Sequence, residues 1–301
     1  LTLNCEFSIA VVKGEIKELK NVILELAEEF DAILFVQPKT VISKSKGQHF
    51  LDNQLNLIID QEGNSGIDTL DVKIDAAYFD QHTPVTEDQL ARKNRSEQLI
   101  GSWQIKVNKQ LPVIASEEKV TIRRPEEIAQ RVAVLAVVNL VAFSHIPPEE
   151  AIDYLQQNNL WALVTPGEKD FLDDPTDEKK SSETWKCECI YTLLWALNKA
   201  ENLPSPAQLC DLGNIPPEHY PVGKDKSPVD FIRTASFVRS KADILDANDL
   251  YYRLDWACVD ARINGKQISE AHPGVVYERH YALNWLMNYG NQEWDDVSCD
   301  T

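Results

Sequence analysis

The chain has 301 residues, 43% of them apolar, and a formal charge of −18. That length and apolar content suit one large or two smaller packed domains and exclude wholesale disorder. The charge repels phosphate, which excludes nucleic-acid backbones and anionic membrane surfaces as partners and favours encounter with a basic one.

Residues 1–82 read as a small α/β domain. "FSIAVV" is a β-branched run and predicts a strand. "EIKELKNVILELAEEF" predicts a helix, with Ile16, Leu19, Ile23, Leu26 and Phe30 at helical spacing. "AILFVQP", "TVISKS" and "LNLIID" predict three further strands, with "QEGNSG" as a turn. A helix among strands implies two layers, sheet on one side and helix on the other.

Residues 83–301 read as a larger, mostly helical domain, so the fold class is α+β. Thr86 and Gln89 form a capping-box pattern before "DQLARKNRSEQLI", and Gly101 suits its end. An extended connector over 101–122 follows. "RPEEIAQRVAVLAVVNLVAF" opens with Pro125 and two glutamates, good first-turn chemistry, and is then apolar save Asn139. A helix apolar all round is buried on every side, so this is the expected core helix. Further helices are predicted at "PPEEAIDYLQQN", "TPGEKDFL", "ETWKCECIYTLLWALNKA", "PAQLCDL", "PVDFIRTASFV", "ANDLYYRLDWACVDARI" and "GVVYERHYALNWLMNYG". "DFLDDPTDEKKSSE" reads as an acidic, solvated loop.

The charge is uneven, −5 over residues 1–123 and −13 over 124–301. No run approaches the roughly 18 apolar residues of a membrane span. Six cysteines at spacings that match no zinc pattern fit reduced thiols in a cytoplasmic protein. The only methionine is Met287, so native residues are expected before Leu1.

On a helical wheel, Arg279 falls inside the apolar arc of "GVVYERHYALNWLMNYG". A guanidinium stays charged, so its burial demands carboxylate partners. One candidate is Glu188, set between Trp185 and Trp195 on its own helix. The others lie in the closing "WDDVSCDT": Asp295, Asp296 and Asp300, behind Trp294. The helix over 247–263 has two apolar faces separated by ionic seams, Arg253 with Asp260 and Asp255 with Arg262, with Asp249 four residues before Arg253. His280 lies on the polar side of its helix and reads as a surface histidine, a weak candidate base. The tail aspartates lack the ligand spacing and turn glycine of a calcium loop. No phosphate loop, nucleophile elbow or zinc helix occurs, so neither metal nor cofactor is expected. Trp294 reads as an anchor in an apolar groove.

The motifs "RKNRSE", "LWALVTPGEKDFL", "ETWKCECIYTLLWALN", "YYRLDWACVDARING", "GVVYERHYALNWL" and the final "WDDVSCDT" occur in order across residues 88–301. In these the chain resembles a bacterial family of uncharacterised proteins, defined only as a domain of unknown function. The resemblance implies a mostly helical domain behind a short α/β segment, and it implies no activity.

The function expected from these residues is that of a binding or interaction protein for an unidentified protein or small molecule. Its cluster would be Trp185, Glu188, Trp195, Arg253, Arg279, Trp294, Asp295 and Asp296. The alternatives are a hydrolase using Glu188 with Asp295 or Asp296 as acid and base near Arg279, and an acidic immunity-type protein that neutralises a basic partner.

Overall fold

The computed structural model describes residues 16–36, 42, 47–60, 64–67 and 85–301. The chain divides into two compact units, residues 1–83 and 84–301. The strand predicted at "FSIAVV" lies outside the described residues, as does that at "TVISKS" save Ile42, which is in a turn.

In the first unit, α1 spans Ile16–Glu29. Strands β1 (Leu34–Val36), β2 (His49–Leu51) and β3 (Leu57–Asp60) form an antiparallel sheet in that order. Leu34 pairs with Leu51 and Val36 with His49, which puts the buried Val36, His49 and Leu51 on one face. Phe35 and Phe50 meet across the strands on the other, ring centroids 5.0 Å apart. The turn before β3 is held by Asp52, which accepts from the backbone of Gln54 and Asn56 at 2.9 and 2.7 Å. Strand β2 was not anticipated; three residues are too few to display an alternating pattern. Phe30, expected on the apolar face of α1, is 58% exposed.

The second unit is helical: α2 Glu87–Ser102, α3 Pro125–Ala142, α4 Pro148–Gln157, α5 Pro166–Asp173, α6 Asp177–Thr184, α7 Lys186–Ala196, α8 Pro228–Thr234, α9 Lys241–Ile263 and α10 Pro273–Leu286. No helix among the described residues is long and apolar enough to cross a membrane. Local chemistry sets most starts. Gln89 accepts from the Thr86 backbone at 2.9 Å ahead of α2, and Thr165 and Glu168 exchange bonds of 3.2 and 2.9 Å at the start of α5. Ser240 accepts from Asp243 at the start of α9, which begins six residues before its expected start. Several ends use asparagine in the left-handed region, with φ of 57° at Asn159, 58° at Asn198 and 54° at Asn288. Gly101, read as a stop, lies inside α2, and Gln104 makes the left-handed turn instead.

Helix α3 is the hub. Its Ile128, Val132 and Leu135 join the larger core with residues of α7, α9 and α10, such as Leu193, Leu254 and Leu283. Ala133, Val134, Val137, Val138 and Val141 join a second core with Leu155 of α4 and Phe171 of α5. Two cores on opposite sides explain a helix with no polar face.

Two predicted elements are corrected. The acidic stretch holds a helix, α6, because Thr176 accepts from the Lys179 backbone and Asp177 and Glu178 occupy the first turn. "PAQLCDL" is not helical; it runs as turns into a 3-10 segment at Leu212–Asn214.

Candidate functional site

Arg279, on α10, and Glu188, on α7, are both fully buried, and the Arg279 Nε donates to Glu188 Oε2 at 2.8 Å. The remaining guanidinium donors reach Tyr251 Oη at 2.7 Å and the carbonyls of Pro204 and Gln208 at 2.6 and 3.2 Å. Glu188 Oε1 accepts from the Cys210 backbone at 2.6 Å. Every charge is thus matched inside the protein, as a buried guanidinium requires. The loop over 203–210 crosses the cluster as turns and irregular backbone, and the guanidinium binds its Pro204 and Gln208 carbonyls. That tertiary demand overrides the helical signal of "PAQLCDL".

The tail aspartates do not reach Arg279. Asp295 accepts from the Gly167 backbone at 2.8 Å, at the N-terminus of α5, where a carboxylate is favoured. Asp296 is exposed. Trp294 is buried, its ring edge-on to Tyr281 and Trp285 at 5.2 and 5.3 Å. The Tyr281 hydroxyl donates to the Trp294 carbonyl. Arg131 stacks over the same indole at 5.1 Å and pairs with the buried Glu168 at 2.5 Å. Partly buried Glu183 lies near these acids; burial, then the charges of Glu168, Glu278 and Asp295, push its carboxyl up to about 7 despite Lys186.

The expected seams on α9 are also rearranged. Arg253 pairs with Asp249 at 2.9 Å and donates to the Pro112 carbonyl, and Asp260 takes Lys106. Asp255 pairs with His280 across the helices at 2.9 Å, and His280 is buried rather than at the surface. The polar stripe of α10 faces a matching stripe on α9: Asn284 accepts from Asn248 at 2.7 Å, one pair along from His280 and Asp255. Trp195 is buried beneath Arg239, 4.9 Å from its ring.

Beside these helices lies a cleft of about 900 Å³. Trp185, His272 and Tyr277 contribute aromatic wall; Asp255, Glu278 and Cys299 contribute polar atoms. Trp185 stacks on His272 at 5.2 Å. Gly274 lets the indole lie against the start of α10, since a Cβ there would meet Trp185 Cζ3 at 2.7 Å. Glu278 accepts from Lys186 Nζ at 2.9 Å and from the Cys189 thiol at 3.1 Å. Burial opposes the Lys186 charge, but Cys189 and Glu278 outweigh it and hold its pKa above the usual lysine value. Burial, with the Asp255 and Glu278 charges, pushes the Cys299 thiol up, and burial raises Cys258 to about 12. Cleft thiols are therefore held protonated, the opposite of an activated nucleophile. Neither Arg279 nor Glu188 lines this cleft or a second one of about 610 Å³ near Lys199.

Among the described residues, two groups bring three metal-ligating side chains together: Asp255, His280 and Cys299, and Cys187, Glu188 and Cys210. In the second, Cys187 and Cys210 share a thiol hydrogen bond that lowers the pKa of Cys187 and raises that of Cys210. Sequence spacing hides both groups, since each is completed by a residue from a distant segment. One signal was present. Asn248 and Asp255 repeat at seven residues between the two apolar faces of α9, the mark of a buried polar seam facing another helix.

A family model described as Domain of unknown function (DUF4272) matches residues 92–297. That span contains every residue of the Arg279 cluster and all of the cleft except Cys299 and Thr301. No curated protein and no solved structure matches the chain.

Proposed function

The chain belongs to this family of unknown function, and from that premise we propose that its helical part is a small-molecule-binding module. Its site is the cleft beside α9 and α10, not the Arg279 cluster. The observation that carries the reading is a cleft of about 900 Å³ lined by two carboxylates, Asp255 and Glu278, each already fixed by an internal partner. That is the combination expected of a preformed ligand site: aromatic wall, few polar groups, little reorganisation on binding. The ligand class is a small polar molecule that offers amine or hydroxyl donors to the carboxylates and a flat face to Trp185 and Tyr277. Acid–base hydrolysis at Arg279 is disfavoured, because both Glu188 oxygens are engaged and Asp295 serves another helix. The described cysteines are free thiols, which supports a cytoplasmic setting.

The test is a thermal-shift screen of the full chain against amino acids, amines, nucleosides and sugars. A ligand at about 100 times its Kd adds about 2.7 kcal/mol of stability. Its melting shift should be lost in Tyr277→Ala, a substitution at a 42% exposed residue. A shift unchanged in Tyr277→Ala and Trp185→Leu, or no shift with any class, would refute the reading.

A further inference from the structure

We propose that Asp255, His280 and Cys299 form a site for a divalent metal ion of the zinc class on the wall of the cleft. One ligand atom from each lies within 4.8 Å of the other two. Zinc holds its nitrogen, oxygen and sulfur ligands at about 2.0–2.3 Å, so donors this close can share one ion. The set is one imidazole, one thiolate and one carboxylate. Magnesium and calcium take oxygen ligands almost alone, whereas a mixed nitrogen, sulfur and oxygen set suits zinc and its neighbours. The 2.9 Å contact between Asp255 and His280 uses one carboxylate oxygen and one ring nitrogen, and each group keeps a second. Binding would release the Cys299 thiol proton to solvent.

Three protein ligands leave a fourth position for water or another ligand. Asp255 and Cys299 both line the cleft, so that position faces it. The ligands are also braced. Asp255 and His280 sit mid-helix on α9 and α10, whose packing fixes them. Asn284, one turn beyond His280, donates to the Ser298 carbonyl at 2.9 Å and lies 4.0 Å from Cys299 Sγ. Asn248 donates to Asn284 in turn. This asparagine clamp carries the tail, and with it the thiol, to the histidine. The other three-residue group is the weaker site: Arg279 and the Cys210 backbone already hold both oxygens of Glu188.

The inference shares the cleft with the binding proposal but not its organic ligand, so the two can fail separately. The full chain, stripped with EDTA, is titrated with zinc and with cobalt as a spectroscopic stand-in. The expected result is one ion per chain with a cobalt–thiolate charge-transfer band. Cys299→Ser should remove the band and weaken zinc binding by more than about 100-fold, beyond the roughly 10–100-fold that losing an outer hydrogen-bonding partner costs. His280→Gln should do the same. Circular dichroism and metal-free melting would check that both variants fold; Cys299, being only partly buried, keeps the test decisive if His280→Gln does not. Absence of binding would overturn the proposal. So would a band that survives Cys299→Ser but vanishes in Cys187→Ser/Cys210→Ser. No metal binding by the unsubstituted chain alongside an intact ligand-induced melting shift would sink this inference alone.

Discussion

Replacing Trp294 by alanine tests whether the C-terminal segment is a structural plug. The indole is 4% exposed and stands edge-on to two aromatic rings, with a guanidinium over its face. Truncating a buried tryptophan to alanine costs about 3–5 kcal/mol, from lost transfer free energy and the cavity left behind. Each edge-to-face pair accounts for about 0.5–1.5 kcal/mol beyond area. Relaxation cannot close the cavity cheaply, because Tyr281 and Trp285 are held by α10 and Arg131 by α3. A unit this size shifts its melting point by about 2–4 °C per kcal/mol, so Trp294→Ala should melt roughly 6–20 °C lower. The assay is thermal and urea unfolding of the full chain by circular dichroism, with the transition of the helical unit fitted separately. Trp294→Phe keeps a ring in the groove and should lose only about 1–2 kcal/mol. Asp295→Asn removes a favourable charge at the start of α5 and should cost less than about 1 kcal/mol. A Trp294→Ala protein within about 0.5 kcal/mol of the parent would refute the plug, since that is the scale of neutral surface changes.

The Arg279–Glu188 pair should behave as a unit: Glu188→Gln strands a buried guanidinium and should cost about 3–5 kcal/mol, while Glu188→Gln/Arg279→Met should cost clearly less than the two single changes summed. Additivity within about 0.5 kcal/mol in urea unfolding would show the pair uncoupled. For Glu183, the folded pKa of about 7 lies above the ordinary glutamate value of 4.5, so the folded state holds this proton more tightly. The contribution of Glu183 to stability is therefore greatest below about pH 4.5 and falls as pH rises towards 7. Glu183→Gln should be more stable than the parent at pH 8, by roughly 1–3 kcal/mol, and lose that advantage by about pH 4.5; a pH-independent difference would contradict the shift.

Much of the helical unit was legible residue by residue. The apolar run of α3 implied burial on all sides, and Pro125 with Glu126 and Glu127 marked its start. Arg279 was visible as a charge on an apolar face, and Glu188 as a carboxylate among aromatics, because both break helical periodicity locally. Their partners were less legible. Three groups besides Glu188 bind the guanidinium, and all are backbone carbonyls or a hydroxyl that no sequence pattern flags. His280 was misread for a related reason. A polar stripe on an isolated wheel reads as a solvent face, and only the stripe on α9 turns it into a buried seam.

By itself, then, the sequence determined most of the helical segments, the apolar stripe of each, and which charges need partners. These depend on local periodicity, capping and desolvation, which act over a few residues. Tertiary structure alone decided who meets whom: that the tail aspartate serves α5, that residues 203–210 unwind to feed carbonyls to Arg279, and that Asp255, His280 and Cys299 converge beside a cleft. Such contacts join positions dozens of residues apart. They follow from how the α9–α10 pair docks on α3 and α7 to bury its apolar faces, and no property of a single segment encodes that docking.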